Sequence, residues 1–151
     1  MATTQTLPAG TRTALTTTAL DSLASATYVS GGVIDLSAVD PLDVVIEVDV
    51  TPGTVSSDKG VYVFAKASFD NTNFSTGPES GTTTTDEPNL MLIGFLPCNT
   101  NSTLQRGAYG VLAALGFIPP YLEIVVKNAT GAALAASGHA VHYTTYTGNS
   151  A

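Results

Sequence analysis

Charge is scarce in this chain, and so are the residues that usually do chemistry. Of 151 residues, 11% are charged, against about 25% in an ordinary soluble domain. The bases are five: Arg12, Lys59, Lys66, Arg106 and Lys127. They are scattered, whereas nucleic-acid binders cluster Lys and Arg against phosphates. A net charge of −7 disfavours anionic membranes as well. The expectation is therefore no nucleic-acid and no membrane partner. A lone cysteine, Cys98, excludes an intramolecular disulfide and reads as a small buried or loop residue. Tryptophan is absent and the six tyrosines are dispersed, so no aromatic platform for a sugar stands out. No apolar run approaches the roughly 20 residues of a membrane helix. The opening "MATTQTLPAG" lacks the basic and apolar regions of a signal peptide, and synthesis in a cytoplasm is expected.

What is present is Thr, Ser, Ala and Gly around short apolar runs. Hydrophobic residues make up 44%, too many for a disordered chain. "DVVIEVDV" alternates strictly: Val44, Ile46, Val48 and Val50 on one side, Asp43, Val45, Glu47 and Asp49 on the other. That is a half-buried strand. "VYVFAKASF" sets Val61, Val63, Ala65, Ala67 and Phe69 against Tyr62, Phe64, Lys66 and Ser68. "LMLIGFL" reads as a strand buried on both sides or paired with a partner. A short strand is expected around residues 102–106 and a short helix over 108–115. Gly116 would close that helix, and Pro119 and Pro120 stop anything regular. Residues 121–143 read as a hairpin turning at 128–131. Short strands with almost no helix give an all-β, single-domain β-sandwich or jelly roll. Residues 1–28, rich in Thr and Ala, form an extended N-terminal arm or a first strand, and residues 29–151 the sandwich. In the arm reading, Leu7, Leu15, Leu20 and Leu23 are the anchors on a capsid or subunit interface.

Candidate chemistry is thin. His139 and His142, three apart on a strand, point to opposite faces and cannot share a metal. Cys98 and the serines lie in no nucleophile motif. Glu47 and Asp49 share a strand face, which suits acid–base work but more simply makes a solvated face. Asp40 with Asp43 and Asp86 with Glu87 are further acidic pairs. The long loop 71–89 is oxygen-rich but lacks EF-hand spacing; loops of this length usually bind or flex. Catalytic, cofactor and metal residues are all expected to be none, and the protein is expected not to be an enzyme.

Residues 68–143 carry a further pattern: "SFDNTNFSTGP", "DEPNLMLIGFLPCNTNSTLQRGAYGVLAALG" and "FIPPYLEIVVKNATGAALAASG". This run resembles small virion structural proteins of tailed bacteriophages. Ile118–Pro119–Pro120–Tyr121 stands at the family's "LPPY" position, and Ala129 where an acidic residue is usual. The resemblance implies a β-sandwich that coats or cements an icosahedral head. The function it implies is a capsid decoration (cement) protein on the outer surface of the virion. Its partners would be the major capsid protein and itself, as a homotrimer. A tail or head–tail connector component, or a receptor- or glycan-binding module acting through loop 71–89, are the alternatives.

Overall fold

The alternation of Val44, Ile46, Val48 and Val50 decides which side of its strand faces inward. All four are fully buried. The structure, a computed structural model, describes residues 9–55 and 59–148. Its strands are β1 (Thr13–Thr16), β2 (Tyr28–Asp35), β3 (Asp43–Val50), β4 (Gly60–Ser68), β5 (Ser80–Gly81), β6 (Met91–Pro97), β7 (Gln105–Gly110), β8 (Tyr121–Asn128) and β9 (Ala140–Tyr146). They form two antiparallel sheets, ordered β1-β9-β3-β7 and β5-β2-β8-β4-β6. This is a β-sandwich. Val44, Ile46, Val48, Val50 and Val141 from one sheet share a core with Ile34, Val61, Val63, Ala65, Leu122, Ile124 and Val126 from the other.

The only helix among the described residues longer than a single turn is α1 (Val111–Leu115). It is shorter than the sequence suggests, because Gln105–Gly110 continues as β7 against β3. Gly116 closes it at φ 78°, and its N–H bonds to Leu112 O, a left-handed ending that glycine adopts without strain. At the other end, Asp43 Oδ1 accepts the Leu112 N–H at 2.9 Å.

Two strand expectations are corrected. Residues 121–143 are not a hairpin. β8 belongs to the five-stranded sheet and β9 to the four-stranded one. The Ala-rich stretch between them crosses the end of the sandwich, with an isolated bridge between Pro52 and Leu134 and a bond from the Ala129 N–H to Gly60 O of β4. The reason is a buried polar knot. Asn128, fully buried, donates through Nδ2 to Leu23 O and Ala132 O, both at 2.8 Å. Its Oδ1 accepts from the Thr130 N–H and hydroxyl. These bonds turn the chain away from the sheet just where a hairpin would have continued. Small side chains then let backbones meet: a Cβ on Gly53 would lie 2.5 Å from Ala133 O. The second correction concerns the apolar run in β6. It is an edge strand with Leu92 51% exposed. The strand buried on both faces is β8, from Leu122 to Val126.

From Ala9 onward the N-terminal stretch joins the sandwich. Gly10 N–H bonds to Thr145 O, and β1 pairs with β9. Leu20 and Leu23 lie buried in this chain's own core, so neither side chain is on a surface that a neighbour could touch. Leu15 packs half-buried against the same core. Leu7 lies outside the described residues.

Asn128→Ala removes four hydrogen bonds, three of them buried, and strands partners whose desolvation costs about 1–3 kcal/mol each. Urea unfolding should show a loss of about 3 kcal/mol or more, with the Leu23 and Leu134 segment exchanging amide hydrogens fastest.

Candidate functional site

Alternation along β2, β8 and β4 builds a second surface, on the outer face of the five-stranded sheet. Register places Tyr28, Lys127 and Tyr62 in one row and Glu123 beside Lys66 in another. Tyr28, Phe64, Leu90 and Val125 form a small buried cluster there, with Tyr62 packed against it. Tyr62 also meets Phe95 at 4.7 Å between ring centroids.

Loop 71–89 covers this face and is tied down by charge. The Lys66 side chain, 8% exposed, bonds to Glu79 of the loop at 2.5 Å and to Glu123 of β8 at 3.1 Å. Ser30 donates to the other Glu123 oxygen at 2.6 Å. Burial opposes the Lys66 charge, but the bonds and charges of Glu79 and Glu123 outweigh it and raise its pKa above the ordinary lysine value. Further along, Glu87 accepts from both Lys127 and the Tyr28 hydroxyl. The Lys127 ammonium also sits 4.9 Å from the Tyr28 ring centroid, a favourable cation–π distance. Leu90 then drops into the apolar row.

Between loop and sheet lies a cleft of about 540 Å³. Its walls are Phe74, Ser75, Thr76, Pro78, Ser80 and Thr83, with Glu79, Asp86 and Lys66 supplying charge. The loop start is rigidified by Asp70. Its carboxylate accepts the Asn73 and Thr72 N–H groups at 2.8 and 2.9 Å and the Asn73 amide at 2.6 Å. Those bonds hold its pKa well below the usual carboxylate range. Both Asp70 carboxylate oxygens are engaged by these donors. Among the described residues no group of three or more His, Cys, Asp or Glu could hold a metal.

The chain matches no family model, and comparison with curated proteins and with solved structures gives no match.

The other residues singled out from sequence fall apart spatially. His139 is buried. Its Nδ1 accepts the Thr51 N–H at 3.1 Å and its Nε2 donates to Ala135 O at 2.9 Å, which fixes one neutral tautomer. His142 stands on β9 opposite Glu47. Cys98 is fully buried, its thiol 3.6 Å from Leu96 O, and burial pushes its pKa up to about 11. A protonated thiol is a weak nucleophile. Glu47 and Asp49 are neutralised by Arg12, at 2.7 and 3.6 Å, and Asp49 also by Arg106 at 3.2 Å. The Lys66–Glu123 pair was not singled out from sequence. Its signal is present in hindsight: Lys66 and Glu123 each stand within an apolar run of their strand, between Ala65 and Ala67 and between Leu122 and Ile124.

Breaking a buried pair leaves a charge without its partner. Lys66→Ala should therefore cost about 3–5 kcal/mol in urea unfolding. Glu79→Gln, at a 55% exposed side chain, should cost no more than about 1 kcal/mol.

Alkali offers a second check. The unfolded thiol loses its proton at the ordinary value, whereas the folded thiol keeps it to about 11. The stability Cys98 contributes is thus complete at neutral pH and falls as pH rises through that window. Thermal melts of the intact chain should decline there more steeply than those of Cys98→Ala. The decline remaining in the variant is expected where Lys66 loses its own raised proton.

Proposed function

We propose that this chain is a non-enzymatic virion structural protein, a capsid decoration (cement) protein bound to the major capsid protein on the outside of a bacteriophage head. One observation carries the reading. Phe69 and Phe117 stack with ring centroids 6.4 Å apart and planes 11° apart, yet are 74% and 40% exposed. An aromatic pair left in water at the end of a rigid sandwich suits an interface anchor, since rigid aromatics lose little entropy on binding. The surrounding surface is polar but sparsely charged, and four of the five bases are already in ion pairs. Such a surface can be covered by neighbours without stranding many charges. The virion resemblance of residues 68–143 supplies the partner. On a lattice, many modest contacts are multiplied by symmetry.

The cleft above Lys66 favours a second reading, a receptor- or glycan-binding module. Its hydroxyl-bearing walls, carboxylates and Phe74 suit a neutral polyol. Binding of the isolated protein to host polysaccharide, abolished by Phe74→Ala, would distinguish it.

Quantitative mass spectrometry of purified virions tests the main reading. The expected copy number is comparable to that of the major shell subunit. A handful of copies moves the protein to the tail or connector, and absence from the particle overturns the virion reading. On purified heads, Phe69→Ser should weaken attachment at least about tenfold, equivalent to roughly 1.4 kcal/mol, with the melting temperature unchanged.

A further inference from the structure

The stacked Phe69 and Phe117 stand at one end of the sandwich, where β2 and β4 finish and β8 begins. Register sets Asp35 and Ser68 on either side of Tyr121, and the Leu36 N–H bonds to Pro120 O at 2.8 Å. Directly after Phe117 in the chain, Ile118 enters the wall of a hollow of about 120 Å³. Pro41, Pro119 and Pro120 complete its apolar side, and Ser37 and Asp40 its polar side. Donors are scarce there. Prolines have no N–H, Ser37 spends its N–H and hydroxyl on Asp35, and the Asp40 N–H goes to Leu36 O. The Asp40 carboxylate remains as an acceptor.

Uncompensated charge at this end is of one sign. Asp35, Asp40 and Asp70, the last directly after Phe69, are exposed, and none enters an ion pair among the described residues. Neutral donors keep two of them ionised. The Ser37 hydroxyl and N–H on Asp35, and Asn73, Thr72 and Ser68 on Asp70, hold both carboxyls below the usual range. The bases are committed elsewhere. Arg12, Lys66, Arg106 and Lys127 pair with other acids. Lys59 stands just before β4, at the far end of that strand from Phe69. Covering the aromatic end with a neutral partner would strand three carboxylates away from water. A partner that brings positive charge avoids that cost.

We propose that this end of the sandwich docks a basic protein surface, with Phe69 and Phe117 on its apolar part and one Lys or Arg side chain of the partner in the hollow beside Asp40. The chemistry of the hollow selects that side chain. Lys and Arg lay an apolar stem along apolar walls, here the three prolines and Ile118, and keep their charge at the rim. Their heads bring donors only, to a hollow that holds few. The same three carboxylates repel phosphate-bearing partners. The inference rests on the decoration reading, in which this surface belongs to the major capsid protein. It adds the sign of the charge that the capsid presents and the kind of side chain that enters the hollow.

The test adds the full-length chain to purified heads that lack it and measures attachment across salt. Raising salt from about 50 to about 500 mM should weaken attachment at least about tenfold, because screening removes charge attraction and leaves apolar contact in place. Asp40→Asn should weaken attachment about tenfold at low salt and flatten the salt dependence. Asn suits the left-handed φ of 49° at this position, so the melting temperature should not move. Lys59→Gln also changes one charge, at the far end, and should attach as the intact chain does. Attachment that ignores salt, or Asp40→Asn attaching as tightly as the intact chain, would overturn this inference and leave the decoration reading standing. An intact chain that attaches at no salt concentration overturns both.

Discussion

A buried amide holds the two sheets in their arrangement. Asn128 sits where the doubly buried strand β8 ends, with no access to water. A polar group there must be fully bonded or cost the fold dearly. Its side chain is satisfied by Leu23, Ala132 and Thr130, and its backbone N–H by Thr27 O. Those bonds draw the segment before β2 and the segment after β8 to one end of the sandwich. From there the chain can cross to the opposite sheet, and β9 can lie between β1 and β3. Leu134 N–H to Leu23 O and Ala135 N–H to Thr51 O continue the same seam. The Ala-rich stretch serves that crossing: its small side chains permit backbone to lie against backbone.

The outer face of the five-stranded sheet meets the opposite problem. There the apolar cluster of Tyr28, Phe64 and Val125 needs a cover, and no third sheet among the described residues supplies one. Loop 71–89 does so, held by Glu79 on Lys66 and Glu87 on Lys127. The buried Lys66–Glu123 pair strongly penalises misplacement of its partners, whereas Glu79, 55% exposed, adds a weaker tie. With Glu87 on Lys127 and Leu90 in the buried cluster, these contacts place the long loop over the sheet. The cleft beneath it is a consequence of that bridging.

The same economy of charge shapes the exterior. Arg12 and Arg106 are spent on Glu47 and Asp49, so the acidic side of β3 is neutralised where it stands. Among the large apolar side chains left in water are Phe69 and Phe117, and Leu42 and Leu112 beside the outer face of the four-stranded sheet. Our reading of the molecule as an assembly component follows from that contrast between a firmly closed interior and a few unpartnered apolar anchors.

The sequence by itself determined the all-β class, the inward face of β3 and the stop at Gly116. Each of these depends on neighbours along the chain, on period-two alternation or on a single residue's dihedral freedom. Only the tertiary structure decided which strands share a sheet. Pairing partners are chosen by contacts between distant residues, and an alternating pattern looks the same in either sheet. Hence β9 left the expected hairpin, Leu20 and Leu23 went to the chain's own core, and β8 rather than β6 became the doubly buried strand. The Lys66–Glu123 pair was decided the same way. A charge set within an apolar run announces that it needs a partner, and only the register of β4 on β8 brings Lys66 and Glu123 together.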